Sequence, residues 1–188
     1  MNAPLQPNVP HPLKLRVADF MLLNDSGAFE GYSKVELIEG EIICVNSQFS
    51  RHARVKSLLI RRLGNALEAL EAPLEAWGEV SVHLSDDSMP EPDIVLTSYR
   101  GTGPVPLETV ALLIEVADTT LQNDLGRKAR MYARAGIKEY WVADVEENRF
   151  LIHTKPSEEA YGERIELSFG ETIRIGTLPD LQIETTGF

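Results

Sequence analysis

The sequence is poor in the features that mark secreted, membrane-bound or disulfide-rich proteins. It holds one cysteine among 188 residues, so an internal disulfide is excluded and a reducing compartment is favoured. No segment approaches the ~20 consecutive apolar residues that a membrane-spanning helix needs. The first ten residues have neither a basic start nor an apolar run, unlike a secretory signal. These absences predict a cytoplasmic protein with no membrane partner.

Two common kinds of ligand site are also missing from the sequence. His11, His52, His83 and His153 have no shared metal-ligand spacing, so a zinc site is not expected. No glycine-rich loop of the phosphate-binding or dinucleotide-binding type occurs. Cys44 lies in a β-rich apolar run, which favours a core position over a role as a nucleophile.

Positive charge is scarce. Lys and Arg number 18 against 29 Asp and Glu, and the formal net charge of −11 disfavours long-range attraction to nucleic acid. The basic residues nevertheless fall into two clusters, at 51–62 and 127–138, each typical of a solvated helix face. His52 stands in the first cluster, where it could approach a phosphate, although a surface position is favoured.

The chain is long enough, and at 43% apolar residues hydrophobic enough, for one domain with a sizeable core. Residues 1–15 are predicted to form a flexible, proline-rich arm, and residues 16–188 a single domain. A hairpin is predicted around Glu39-Gly40, and a long helix from Ser50 to a point before Pro73.

Further elements complete an α/β (α+β) pattern. The nearly continuous apolar run 110–117 predicts a central strand covered on both faces, and a helix follows over about 122–135, closed by Gly136. Other strands are predicted at 80–84, 90–96, 139–144, 150–153, 165–167, 173–175 and 181–183. We expect a mixed central sheet flanked by helices, with an N-terminal β-hairpin and C-terminal edge strands.

Two acidic residues need a chemical explanation. Glu115 interrupts the apolar run 110–117, where an ionised carboxylate is costly to bury unless it is paired or binds a cation. Asp93 follows Pro92 at the start of another strand. Two acids on adjacent strand ends can share a hard cation such as Mg²⁺. The structural alternative is that Glu115 pairs with a buried arginine or lies at a solvated strand end, but a functional site is favoured, because buried acids cluster at such sites.

The helix after Glu115 adds a third element. Asp124, Lys128 and Tyr132 recur every four residues and therefore share one helical face. Lys128 could point back across the end of the preceding strand, where it would orient water or neutralise a phosphate oxygen. The spacing alone favours the alternative of a solvated Asp124–Lys128 pair, worth only ~0.3–0.5 kcal/mol.

Several segments of this sequence recur together in a recognisable order. They are Tyr32, Glu36-Leu37-Ile38-Glu39-Gly40-Glu41, Ser47, His52, Glu91-Pro92-Asp93-Ile94, Ile114-Glu115-Val116, Asp124-x-x-x-Lys128-x-x-x-Tyr132 and the run 135–144. In their order and spacing they resemble the Uma family of restriction endonucleases, in the PD-(D/E)xK nuclease superfamily. The resemblance covers about residues 32–183 and implies a restriction-endonuclease-like core.

The same resemblance implies the site. Asp93 takes the place of the superfamily's Pro-Asp acid, and Glu115 that of its second acid. The usual lysine, two residues after the second acid, would fall on Ala117, and Lys128 is its natural substitute.

The hairpin acids Glu36 and Glu41 also belong to the resemblance. Each could be an auxiliary acid of the site, and a structural role is equally compatible with the sequence.

The implied function is a Mg²⁺- or Mn²⁺-dependent endonuclease that hydrolyses DNA. Asp93 and Glu115 would hold the metal, and Lys128 would stabilise the attacking water or the phosphate charge. A homodimer is compatible with this function, because duplex cleavage commonly uses two active sites. A catalytically inactive nuclease-fold module that binds a protein or nucleic acid remains an alternative, favoured by the acidic charge and by Ala117. Hydrolysis of another phosphate ester is a third, weaker option.

Overall fold

The computed structural model describes residues 12–45 and 49–188. His11, Ser47 and most of the predicted arm lie outside these residues. The helical elements are α1 (Val17–Asp25), α2 (Ser50–Ala69), a 3-10 turn (Leu107–Thr109), α3 (Leu121–Asn123), a π-helical turn (Asp124–Lys128) and α4 (Ala129–Arg134). The strands are β1 (Lys34–Ile38), β2 (Glu41–Val45), β3 (Glu75–Gly78), β4 (Val82–His83), β5 (Ile94–Thr97), β6 (Val105–Pro106), β7 (Val110–Ala117), β8 (Glu139–Asp144), β9 (Arg149–Pro156), β10 (Tyr161–Ser168), β11 (Thr172–Ile175) and β12 (Leu178–Glu184). Within the described residues, no helix has both the length and the apolarity to cross a bilayer.

A mixed sheet forms the centre of the domain. Its six strands lie in the order β10-β9-β8-β7-β5-β3. Strands β7 and β8 pair in parallel, while the other neighbours in this sheet are antiparallel. A parallel pair needs a crossover connection, and the helical segment from α3 to α4 supplies it. The predicted mixed central sheet flanked by helices is confirmed.

The two faces of the sheet are covered by different elements. Leu112, Ile114 and Val116 of β7 pack in one cluster with α2 and the β11–β12 hairpin. Leu113 and Ala117 belong to the opposite cluster, which includes residues of α4. Because side chains alternate along a strand, Glu115 lies on the α4 face.

The β1–β2 hairpin docks beside the segment that leads into β5 and carries Asp93. Glu39 and Gly40 both have positive φ, at 50° and 77°, as the predicted tight turn requires. The backbones of Leu37 and Met89 exchange two hydrogen bonds, of 3.2 and 2.7 Å. This contact brings the inward-facing side chains of β1 next to the central sheet.

Some elements differ from the sequence prediction. The predicted strand 80–84 shrinks to β4, which pairs in parallel with the equally short β6. Helix α1 and strand β3 were not predicted. Residues 165–167 lie in the edge strand β10, whereas β11 and β12 form a separate hairpin whose apolar side chains pack against α2. Edge pairing and packing on a helix both need alternating apolar residues, so the sequence pattern does not distinguish them.

Candidate active site

The register between β5 and β7 brings Asp93 and Glu115 face to face. Ile94 pairs with Ile114 in antiparallel register, so the residue before Ile94 lies opposite the residue after Ile114. Asp93 Oδ2 accepts the backbone N–H of Val116 at 2.8 Å. Both acids are buried, each with 2% exposure. The two acids predicted from the sequence therefore share one site.

Glu115 is held by two side chains from the following helix. Lys128 Nζ and Tyr132 Oη each donate to Glu115 Oε1 at 2.9 Å. In the described part of the chain, the hydrogen bonds to this carboxylate all fall on Oε1, so Oε2 has no protein donor. Glu115 also lines a cavity of about 550 Å³. One carboxylate oxygen is thus anchored, and the other is available to a ligand.

Glu36 enters the same site from β1. Its Oε1 accepts hydrogen bonds from Lys128 Nζ at 2.9 Å and from the backbone N–H of Glu91 at 2.8 Å. Its Oε2 is buried and lacks a partner among the described residues. Glu41 instead points outward, where it pairs with Lys14 at 2.5 Å and Arg127 at 2.9 Å. Of the two hairpin acids, only Glu36 belongs to the site.

The helical residues are buried rather than solvated. Asp124, Lys128 and Tyr132 have exposures of 2%, 4% and 0%, so the predicted shared face is correct. The solvated Asp124–Lys128 pair that the spacing favoured is wrong, because the crossover packs this face onto the sheet. Asp124 accepts instead from the hydroxyl of Thr120 at 2.5 Å. The π-helical turn carries Asp124 and Lys128, and such turns are frequent at functional sites.

Two further residues belong to the site, one with a wrongly predicted position and one that was not predicted. His52, for which a surface position was favoured, is 5% exposed, and its Nε2 lies 3.1 Å from Asp93 Oδ2. Lys34 was not predicted, yet its Nζ lies 3.8 Å from Asp93 Oδ1. A usable signal was the alternation in β1, which places Lys34 and Glu36 on the same face as the core residue Ile38.

Cys44 does not occupy the predicted core position. It is an exposed free thiol in β2, opposite Val35 of β1. The prediction was wrong because β1 and β2 form a two-stranded sheet of their own, so one face of the apolar run stays open to solvent.

The environment of the site shifts the pKa values of Asp93 and Glu115 in opposite directions. Burial tends to raise the pKa of Asp93, but the His52 hydrogen bond, the Lys34 charge and the Val116 N–H hold it well below its usual range. Burial raises the pKa of Glu115 to about 8, although Lys128 and Lys34 favour its ionised form. The site therefore favours the ionised form of Asp93 and disfavours that of Glu115.

Burial and nearby charges also shift the pKa values of Lys128, Asp124 and Tyr132. Burial alone would lower the pKa of Lys128, but the carboxylates of Glu115, Glu36 and Asp124 outweigh it and raise the pKa. Burial raises the pKa of Asp124 and, to well above its usual value, that of Tyr132. Lys128 therefore stays cationic, and Tyr132 stays a neutral hydroxyl donor.

The donor chemistry of the site fits a hard divalent cation. The cavity is lined by five carboxylates but by only two lysines, so negative charge is in excess when all are ionised; the carboxylates are those of Glu36, Asp93, Glu115, Asp118 and Asp124. Among the described residues, no three or more His, Cys, Asp or Glu side chains form a complete ligand cluster. Mg²⁺ is commonly held by one or two carboxylates together with waters and phosphate oxygens, which a two-acid site allows.

Three of the four arginines in the first basic cluster are used within the protein. Arg51 donates to the carbonyl of Val145, and Arg62 to two carbonyls near the C-terminus. Arg54 donates to the carbonyl of Gly187 at 2.8 Å. These side chains fasten α2 to the neighbouring chain, so the cluster is more than a solvated helix face.

Two of the three arginines in the second cluster make similar contacts. Arg127 donates to the carbonyl of Ile38 at 2.7 Å and to Glu39 at 3.1 Å, and Arg134 donates to Glu39 at 3.1 Å. These bonds attach the helical segment from α3 to α4 to the turn of the β1–β2 hairpin, and so keep β1 close to α4.

A search of solved structures finds the same fold in a crystal structure of a putative nuclease belonging to DUF820 from Anabaena variabilis. The TM-score is 0.70, and the match covers 93% of this chain and 96% of that chain. At 16% identity, this likeness shows the fold alone. A comparison with curated proteins finds no match.

The family comparison matches the chain over nearly its whole described length. The family model is Uma2, with the description "Putative restriction endonuclease", and it matches residues 17–186. This span contains every residue of the site, from Lys34 in β1 to Tyr132 in α4. The chain therefore belongs to the Uma2 family of putative restriction endonucleases.

Proposed function

We propose that this protein is a metal-dependent nuclease that hydrolyses DNA phosphodiester bonds at the site around Asp93 and Glu115. The observation that carries the proposal is the meeting of these two buried carboxylates on neighbouring strands, beside two lysines and at the wall of one cavity. Membership of a family described as restriction endonucleases supports the same reaction.

Asp93 and Glu115 would hold Mg²⁺ or Mn²⁺. When bound there, such a cation would supply Lewis-acid stabilisation of charge on the phosphate. Two observations support a missing positive charge at this point: carboxylates outnumber lysines, and Glu36 Oε2 has no partner among the described residues. Glu36 and Asp124 line the same cavity and would contribute negative potential.

The protein's own residues set the geometry of the reaction. Hydrolysis joins the oxygen of water to phosphorus and breaks one P–O ester bond, and a proton from the water ends on the leaving oxygen. The N–H of Val116 and the ring of His52 fix Asp93. Lys128 and Tyr132 fix Glu115, and Lys128 adds a positive charge to the site. Such fixed groups reduce the reorganisation that the reaction requires.

The test combines metal binding with cleavage. Mn²⁺ is titrated calorimetrically into the wild type, Asp93→Asn and Glu115→Gln, and the same proteins are incubated with single-stranded, linear duplex and supercoiled DNA. We expect Mn²⁺ binding and cleavage by the wild type, and loss of both in the two variants with the fold retained. Lys138→Met is the matched control, because Lys138 is exposed and lies outside the site.

A folded wild type that binds Mn²⁺ but cuts no DNA would contradict the proposed substrate, and free nucleotides and other phosphate esters would then be assayed. A wild type that neither binds Mn²⁺ nor cleaves DNA would contradict the proposal that the protein is a metal-dependent enzyme. Stable binding of nucleic acid or of a protein without cleavage would then support the inactive-module alternative.

A further inference from the structure

We propose that Lys34, rather than Lys128, is the lysine that contacts the scissile phosphate, and that Lys128 is a positioning residue for Glu115. The catalytic part of this inference rests on the proposed function. The phosphate contact itself can be measured without any cleavage.

Lys128 has little capacity left for a substrate. Its ammonium donates to Glu115 Oε1 and to Glu36 Oε1, both at 2.9 Å, and its side chain is 4% exposed. An ammonium has three N–H donors, so two of them are committed to buried carboxylates. Turning toward a phosphate would leave Glu36 and Glu115 without their cation, which is costly in a buried site.

Lys34, by contrast, has an ammonium that is not committed to a hydrogen bond with any described residue. Its closest acidic oxygen is Asp93 Oδ1 at 3.8 Å, which is too long for a hydrogen bond. Within the part of the chain that the structure describes, its Nζ makes no hydrogen bond, although the side chain is only 10% exposed. A nearly buried ammonium without a hydrogen-bond acceptor is unfavourable, so the position is suited to an anionic ligand.

The location of Lys34 matches the place where such a ligand would arrive. Lys34 lines the cavity of about 550 Å³ that holds Asp93 and Glu115. It also lines an adjoining cavity of about 770 Å³ between α1 and β1. Among the described residues, Lys34 is the only one that lines both cavities. A phosphate at Lys34 would lie beside Asp93, with room for the rest of the substrate on either side.

The strand geometry makes Lys34 a fixed feature rather than a mobile surface lysine. It is the first residue of β1, paired with Val45 of β2, and Ser33 donates to the carbonyl of Val45 at 3.0 Å. The alternation of β1 turns Lys34 toward the same side as Glu36. One strand therefore supplies both the carboxylate that binds Lys128 and the open ammonium that would bind phosphate.

The two lysines can be separated by substitution. The proteins compared are the wild type, Lys34→Met, Lys34→Arg, Lys128→Met and the exposed control Lys138→Met. Each is first checked by thermal melting, and each is then assayed for Mn²⁺ binding and for kcat/KM on a DNA that the wild type cleaves. Methionine keeps most of the length of the lysine side chain and removes its charge.

Lys34→Met is expected to lower kcat/KM by about 100-fold or more, as the loss of a preorganised donor to a reacting phosphate does. Its Mn²⁺ affinity should be unchanged or higher, because a positive charge beside Asp93 is lost. Lys34→Arg should recover activity to within about tenfold of the wild type, because arginine also binds phosphate. Lys138→Met should match the wild type, and Lys128→Met should melt at a lower temperature.

Two results would overturn the assignment. One is a Lys34→Met variant that cleaves within about threefold of the wild type, since a phosphate-contacting donor contributes far more. The other is a Lys34→Met variant that loses Mn²⁺ binding, which would make Lys34 a support for the acids and not a substrate contact.

A second measurement tests Lys34 if the wild type cleaves no DNA, in which case the proposed function fails separately. Inorganic phosphate is titrated into the metal-free proteins and followed by ³¹P NMR. The phosphate contact is supported if the wild type and Lys138→Met bind phosphate and Lys34→Met binds it about tenfold or more weakly. No binding by the wild type, or equal binding by Lys34→Met, would overturn it.

Discussion

Two buried glutamates of the central sheet, Glu115 and Glu139, show what makes a carboxylate part of a reactive site. They lie in the neighbouring parallel strands β7 and β8 and are 2% and 1% exposed. Glu139 shares the face of Trp141, which packs with α2, whereas Glu115 shares the opposite face with Leu113. The sheet thus buries one glutamate on each side.

Their partners differ in kind. Glu139 Oε1 accepts from Trp141 Nε1 at 2.7 Å, and its Oε2 accepts from the backbone N–H of Thr177 at 2.8 Å. Both oxygens are therefore satisfied by neutral donors, and no ion pair to Glu139 occurs among the residues described. Glu115 uses one oxygen for Lys128 and Tyr132 and lies among other ionisable groups. Burial alone is thus no sign of function, whereas an incompletely satisfied carboxylate among charges is.

The largest expected difference between the two glutamates is in activity. Glu115→Gln should lower kcat/KM for DNA cleavage by at least about 1,000-fold, because it removes a charged ligand at the proposed metal position. Glu139→Gln should stay within about threefold of the wild type, because it changes only a remote carboxylate that is bound by neutral donors. Both are measured in Mn²⁺ below the melting temperature of either variant. Equal losses in the two variants would refute the contrast.

The next effect concerns the free energy of unfolding. Lys128→Met should lower it by about 3 kcal/mol or more, because Glu36 and Glu115 would lose their buried cation. Urea denaturation measures the change. The double variant Lys128→Met/Glu115→Gln should lose less than the sum of its single variants, because one of the unpaired charges is gone. Simple additivity would show that Lys128 does not stabilise Glu115.

Stabilisation by bound metal should also distinguish Glu115→Gln from Glu139→Gln, with a smaller difference in free energy. A ligand present at about 100 times its dissociation constant stabilises the folded state by about 2.7 kcal/mol. Saturating Mn²⁺ should therefore raise the melting temperature of the wild type and of Glu139→Gln, and EDTA should reverse the increase. The melting temperature of Glu115→Gln should not respond. A response in Glu115→Gln equal to that of the wild type would locate the metal elsewhere.

The acids of the site could be predicted because their local patterns are strong. Glu115 is the one charge in an apolar strand, and Asp93 directly follows Pro92 at the start of another strand. The strand register then brings the two acids together, which is a consequence of regular pairing. The resemblance added Lys128, whose contact with Glu115 the fold provides.

The rest of the site depends on contacts that no local pattern reveals. Lys34 and Glu36 reach the site because the hairpin docks through Leu37 and Met89, far apart in the sequence. His52 is buried because α2 begins against Asp93. A four-residue spacing fixes which residues share a helical face, but it does not say whether that face meets water or a sheet. The same ambiguity explains the misplaced Cys44.

The smallest expected effect is that of Glu139→Gln on stability. The glutamine can still accept one hydrogen bond, but its amide nitrogen would face the Trp141 or Thr177 N–H, so that N–H loses its acceptor and the amide N–H groups lack one as well. Leaving buried donors unsatisfied costs about 1–3 kcal/mol, which urea denaturation resolves. Mn²⁺ affinity should not change, because both oxygens of Glu139 are committed to neutral donors on the other face of the sheet. A loss of stability larger than that of Lys128→Met, or a change in Mn²⁺ affinity, would mean that the two glutamates are coupled through the sheet.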